Sequence, residues 1–141
     1  MKFFLDTNII VDFIMEREPH YLQSAAIINY CSFEQVKFHA SSHVLATTHY
    51  VCRKKYSENE IRIILENFLT FVSIIPVDEE ILRKSLKSHH KDFEDAIQIF
   101  CAHQIKNLDG IITRNLKDFS TSEIPVFSPD EVLFYIKKNL K

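Results

Sequence analysis

Three short stretches put oxygen donors where chemistry can use them: "FLDTN" at residues 4–8, "DFEDA" at 92–96 and "TRNLKD" at 113–118. Together they supply the carboxylates of Asp6, Asp92, Glu94, Asp95 and Asp118, accompanied by the hydroxyls and amides of Thr7, Asn8, Thr113 and Asn115. Asp92 and Asp95 stand three apart, so in the first turn of a helix they share a face. Carboxylates crowded into one pocket repel each other unless a cation or a proton offsets the charge. Hard oxygen donors of this kind suit Mg²⁺ or Mn²⁺. A plainer role competes at the second stretch, where Asp92 caps a helix and Asp95 sits near the positive end of its dipole, worth about 0.3 to 1 kcal/mol. That role accounts for neither Asp6 nor the "TRN" behind an apolar run.

Such residues act together only if the chain carries them to one place. Short apolar runs at 2–6, 36–39, 72–77 and 110–113 are separated by longer segments with helical periodicity, the pattern of an α/β fold with a mostly parallel sheet. In an open parallel sheet, ligands bind beyond the carboxyl ends of the strands. Asp6 falls at such an end, and so does the segment after "GIIT". Between the strands, Ile9, Ile10, Phe13 and Ile14 recur at helical spacing, as do Ile61, Ile64, Leu65 and Phe68. Ser57 with Glu60, and Ser128 with Pro129 and Glu131, match capping boxes that start two helices. "SHHKD" reads as a loop before a helix from about Asp92 to Lys106.

With 141 residues the chain suits a single domain, 1–141, and its 46% hydrophobic content, with 12 Phe and 5 Tyr, is ample for a core. A net charge of −2 removes the argument that a strongly basic domain would offer for nucleic-acid binding. Any such binding rests on local groups, among them Arg83 to Lys91 and Arg114 with Lys117. Cys31, Cys52 and Cys101 are odd in number and lack CxxC spacing, so a reducing, cytoplasmic setting fits best. No run of about 18 apolar residues is present to span a membrane.

The order of motifs resembles that of the PIN-domain nucleases, including the toxins of VapBC-type toxin–antitoxin pairs. The resemblance runs from "FLDTNIIVDFI" through "ASSHVLATTHYVCRKK" and "DFEDAIQIFCAHQ" to "GIITRNLKDF" and "IPVFSPDEVLFYI". It implies a PIN-like α/β/α sandwich with a central, mostly parallel sheet of four to five strands. It also implies a Mg²⁺- or Mn²⁺-dependent endoribonuclease that cleaves RNA phosphodiesters, restrained by a small antitoxin and paired as a homodimer. By the resemblance, Asp6 and Asp95 are the principal metal ligands, Asp92 and Asp118 secondary ones, and Asn115 the fourth position of the family site. Thr7 and Asn8 match the polar pair that orients the first carboxylate, and Thr113 matches the hydroxyl ahead of the fourth position. Arg114 is placed to meet a backbone phosphate. Val51 and the segment from Ile61 to Phe71 are candidate dimer contacts.

One position departs from the family. Where its members usually read something like "LAEL", this chain reads "LATT", putting Thr47 where the second acidic residue stands. That supports an alternative, a PIN-like module that binds RNA or protein without cleaving. A phospho-acceptor enzyme with Asp6 as nucleophile fits less well, because position 8 is Asn rather than a second carboxylate. His89 and His90 read as a solvated loop rather than zinc ligands. His43 and His49 flank Thr47 and are assigned surface or partly packed roles, and Phe3, Phe4, Phe13, Phe68 and Phe100 read as packing rather than base-stacking aromatics.

Overall fold

A computed structural model describes the whole chain, Met1–Lys141. Five strands, β1 (Lys2–Leu5), β2 (Lys37–Ser41), β3 (Val72–Ile75), β4 (Gly110–Ile112) and β5 (Val126–Phe127), form one sheet in the order β3-β2-β1-β4-β5. Every pairing is parallel. Seven helices cover its two faces: α1 (Thr7–Ile14), α2 (Tyr21–Asn29), α3 (Ser42–Cys52), α4 (Glu58–Phe68), α5 (Glu79–Lys87), α6 (Phe93–His103) and α7 (Pro129–Asn139). This is the α/β/α sandwich implied by the family resemblance, with the parallel sheet that the alternating apolar runs predict.

Burial on both faces explains why β1 reads as an unbroken apolar run. Phe3 and Leu5 point into the larger core, with residues of α1, α2, α3, α4 and α7, whereas Phe4 points into a smaller core with α5 and α6. On β4, Ile112 joins the larger core and Ile111 the smaller. The registers Phe4 to Ile111 and Leu5 to Ile112 bring like faces together.

Strand order reverses beside β1, and that reversal makes the site. The chain moves from β1 outward to β2 and β3, then returns across the sheet to lay β4 on the other side of β1. Connections on opposite sides of one strand leave a crevice at the carboxyl ends of β1 and β4. Residues 6 and 113 open from those two ends.

Local chemistry sets where the helices begin. Ser57 and Glu60, and Ser128 and Glu131, close the two capping boxes read from the sequence, the second with Pro129 in its first turn. Asp78 caps α5 and Asp92 caps α6 through side-chain bonds to backbone N–H groups. The structure adds β5, whose two residues are too few to carry a periodic signal. The chain's one glycine, Gly110, sits where β5 presses on β4: a Cβ there would lie 2.4 Å from the Phe127 ring and 2.9 Å from the Pro125 carbonyl oxygen. Only a residue without a side chain allows that approach.

Candidate active site

Asp6 follows β1 directly and caps α1, so the strand ending and the helix start fix its carboxylate from both sides. Only 8% of the residue is exposed. Its Oδ1 accepts from the Thr7 N–H at 2.8 Å and from Gln98 Nε2 at 3.4 Å. Its Oδ2 accepts from the Thr113 hydroxyl at 2.8 Å and from Asn8 Nδ2 at 3.1 Å. Burial pushes the Asp6 pKa up; the bonds from Thr113, Thr7 and Gln98 hold it down, and the nearby charge of Asp118 adds to the rise.

Asp95 lies in the first turn of α6, half-buried, and lines with Asp6 a cleft of about 260 Å³. Its pKa is pushed up to about 7, first by desolvation and then by the charges of Asp92, Asp6, Asp118 and Glu94. Asn8, Thr7, Thr47 and Asn115 line the same cleft, with Arg17 and His43 among the remaining wall residues. Asp92 and Asp118 line an adjoining cleft of about 310 Å³ instead, with Lys91, Lys117, Ser120 and Thr121. Asp95 is common to both.

Two of the sequence expectations divide on closer geometry. Asp92 does cap its helix, its Oδ1 accepting from the Asp95 N–H at 3.0 Å, so the plainer role and the acidic pocket coexist. Thr7 orients Asp6 only through its backbone N–H, while Asn8 uses its side chain. Thr113 is fully buried and receives the Asn115 N–H at 3.0 Å while donating to Asp6, so one hydroxyl ties the β4 end to the β1 end.

Arg114, expected beside a backbone phosphate, makes its ion pair with a carboxylate of α1. Its guanidinium is held by Asp12, with Nε donating to Oδ2 at 2.5 Å and Nη2 to Oδ1 at 3.3 Å. Asp12 is 0% exposed, so it must be paired; Arg114 is its close partner, and Arg17 approaches the same carboxylate at 4.0 Å. The signal was a lone carboxylate amid the apolar face of "IIVDFI", which marks a buried ion pair.

Gln98 also escaped the sequence reading. It lies three residues beyond Asp95, on the same face of α6, and is buried. Its Oε1 accepts from the Ser41 hydroxyl at 2.6 Å, which fixes the amide so that Nε2 donates to Asp6. His43 is partly packed, as expected, and lines the cleft, its Nε2 3.9 Å from Glu94 and without a hydrogen-bond partner. His49 points away and bonds Glu58 at 2.9 Å, and His90 bonds Thr121 at 2.6 Å, with the His89 ring tilted by 36° against its own at 4.4 Å. Val51 turns to the cleft, while Tyr50, Ile63 and Leu69 form the exposed apolar part of the α3 and α4 region.

No group of three or more His, Cys, Asp or Glu side chains is arranged to enclose an ion. The donor set is of another kind: two carboxylates, Asp6 and Asp95, in one cleft, with the neutral oxygens of Asn115 and Thr47 on the same walls. It fits a cation such as Mg²⁺, which takes one or two carboxylates and keeps several waters. A larger hollow of about 630 Å³ along α7 is differently built. Its acidic groups are engaged elsewhere, Asp130 with Gln23 and Glu131 in its helix cap.

A parallel sheet whose reversal point holds two carboxylates in one polar cleft defines an α/β protein with an acidic, oxygen-lined site. The PIN domain family profile matches residues 2–117, and the chain belongs to that family. It is 27% identical over 135 residues to Ribonuclease VapC1 of Aquifex aeolicus, with 92% of each chain covered. A toxin–antitoxin complex from Klebsiella pneumoniae contains a chain 26% identical to this one, covering 89% of it and 96% of that chain, with a TM-score of 0.62. VapBC2 of Rickettsia felis, bound to a DNA fragment from its promoter, shares the fold at a TM-score of 0.63 and 22% identity, over 91% of this chain and 98% of the other.

Proposed function

We propose that residues 1–141 act as one unit, a cytoplasmic endoribonuclease that depends on Mg²⁺ or Mn²⁺ and serves as the toxin of a toxin–antitoxin pair. The observation that carries this reading is that Asp6, fixed by four donors, and Asp95 line one cleft at the sheet's reversal point. The likeness to a ribonuclease and to a chain of a toxin–antitoxin complex supports it. In this reading the partners are RNA, a small antitoxin protein that covers the cleft, and a second copy of the chain.

Asp6 and Asp95 would hold the cation, with Asp118 and Asp92 in the adjoining cleft as its secondary ligands. When bound, the cation supplies charge neutralisation and Lewis acidity for attack of water on phosphorus. Thr113, Asn8 and Gln98 keep the Asp6 carboxylate in one orientation. Asn115 offers its amide to the cleft beside them.

The second reading, a PIN-like module that binds without cleaving, is favoured by Thr47. It lines the cleft, so the neutral side chain stands on the wall of the acidic site, and its neighbour Thr48 is buried in the core. Thermal unfolding with and without Mn²⁺, combined with cleavage of a mixed structured RNA pool, separates the two. Metal-dependent stabilisation and cleavage in the wild type, both lost in Asp6→Asn and Asp95→Asn, are expected. Neither effect in the wild type would leave only the binding module.

A further inference from the structure

Five buried side-chain atoms have hydrogen-bonding capacity that the protein leaves unused: Ser24 Oγ, both ring nitrogens of His39, His43 Nε2 and Thr48 Oγ1. Of these residues only His43 stands on a wall of the clefts at the reversal point. A buried polar atom left unpaired is destabilising, so one kept at a polar site calls for a partner from outside the chain. Glu94 does not serve: its carboxylate oxygen is 3.9 Å from Nε2, beyond hydrogen-bond reach, and its side chain is mostly exposed.

The helix start that carries His43 is held from two sides. Ser41 caps α3 and donates to Gln98, which donates to Asp6, so the first turn of α3 is tied to the Asp6 carboxylate. Ser42 accepts the Val77 N–H at 2.9 Å, which anchors the same turn to the segment after β3. His43 and Thr47 are four residues apart, on one face of the helix, and both line the cleft with Asp6, Glu94 and Asp95. The face that lacks a carboxylate at Thr47 therefore offers an imidazole one turn earlier. A phosphate would add negative charge to walls that already carry three carboxylates, whereas a divalent cation offsets their repulsion.

We propose that His43 is a ligand of the cation assigned to Asp6 and Asp95, its Nε2 replacing the carboxylate that Thr47 does not supply, and that it makes the site prefer Mn²⁺ to Mg²⁺. This rests on the metal-dependent reading above and adds to it a ligand and a choice of ion. A neutral imidazole nitrogen is a common ligand of transition metals, whereas Mg²⁺ favours oxygen donors. No three such groups enclose an ion in advance, but the His43 side chain is partly exposed and has room to turn toward one.

The test titrates Mn²⁺ and Mg²⁺ into the full chain by calorimetry and detects nitrogen bound to Mn²⁺ by electron spin echo modulation. The wild type is expected to bind Mn²⁺ more tightly than Mg²⁺ and to show directly bound nitrogen. His43→Ala is expected to lose that signal and to weaken Mn²⁺ binding by about tenfold or more, at least the loss caused by removing an outer partner of a ligand, with a smaller effect on Mg²⁺. Adding Thr47→Glu to His43→Ala returns a carboxylate to the same helix face and is expected to recover binding of both ions without the nitrogen signal. His49→Ala, whose ring bonds Glu58 away from the cleft, is expected to match the wild type. Melting temperatures without metal establish that each variant is folded. Nitrogen coupling that persists in His43→Ala, Mn²⁺ affinity equal to the wild type in that variant, or a loss confined to RNA binding would overturn the assignment and leave the metal-dependent reading standing. Equal wild-type affinity for the two ions would overturn the choice of ion, and a wild type that binds neither would overturn both readings.

Discussion

Asp6 gains its orientation from residues scattered along the chain, and that dispersion defines the sharpest residue-level prediction. Thr113 and Gln98 touch it from 107 and 92 positions away. Both are positioning residues: each bonds Asp6 and a second group, Thr113 the Asn115 N–H and Gln98 the Ser41 hydroxyl. Thr113→Val and Gln98→Ala are each expected to lower Mn²⁺ affinity and cleavage by about 10- to 100-fold, the usual effect of losing an outer partner of a metal ligand. Calorimetric Mn²⁺ titration checks this, because a purely structural role would lower the melting temperature without weakening the ion's binding to the folded protein. The sequence made Asp6, Asp95 and Thr113 legible, since each stands at a strand end or helix start that its neighbours announce. Gln98 was not legible because its role depends on Ser41, 57 residues away, and a glutamine inside "DAIQIF" carries no mark of a buried network.

At the scale of elements, the Asp12 and Arg114 pair is a strut between α1 and the loop after β4. Arg114 also donates its backbone N–H to Asn8 Oδ1 at 3.4 Å, so the same loop is held to α1 twice. Arg114→Met removes the guanidinium and leaves the buried Asp12 carboxylate with Arg17 alone, at 4.0 Å. A loss of about 3 kcal/mol is expected, toward the lower end for breaking a buried ion pair because the arginine is partly exposed. Urea unfolding measures it, and the further substitution Asp12→Asn should recover part of the loss by removing the stranded charge. Equal stability of Arg114→Met and wild type would show that the strut carries no load. Strands and helix starts were the well-read elements, because apolar runs and capping boxes are local signals. The contact between α1 and the β4 loop is formed between residues 102 positions apart, and only the reversal in strand order brings them together.

For the whole molecule, the acidic site and the core pull stability in opposite directions as pH changes. Asp95 has a folded pKa of about 7 against an ordinary 3.8, so the folded protein binds more protons than the unfolded chain between those values. Its contribution to stability is therefore lost as pH rises through that window. His39 behaves in the reverse sense. Both of its ring nitrogens are buried without partners, and burial, aided by the charge of Lys2, holds its pKa below the ordinary 6.5. The folded protein then binds fewer protons than the unfolded chain, and stability is lost as pH falls below about 6.5. Above pH 7 the His39 penalty is gone, while the repulsion at Asp95 is fully present. A divalent cation meets an ionised Asp95 there and a protonated one at pH 5. Mn²⁺ at about 100 times its Kd is expected to stabilise the wild type by about 2.7 kcal/mol at pH 8 and by little at pH 5. Asp95→Asn should melt higher than wild type at pH 8 without metal, by about 1 kcal/mol after screening at a half-exposed carboxylate, and should gain nothing from Mn²⁺. Melting curves from pH 4 to 8.5, with and without Mn²⁺, decide the matter, since a metal effect of equal size at pH 5 and pH 8 would mean that the ion binds without engaging Asp95.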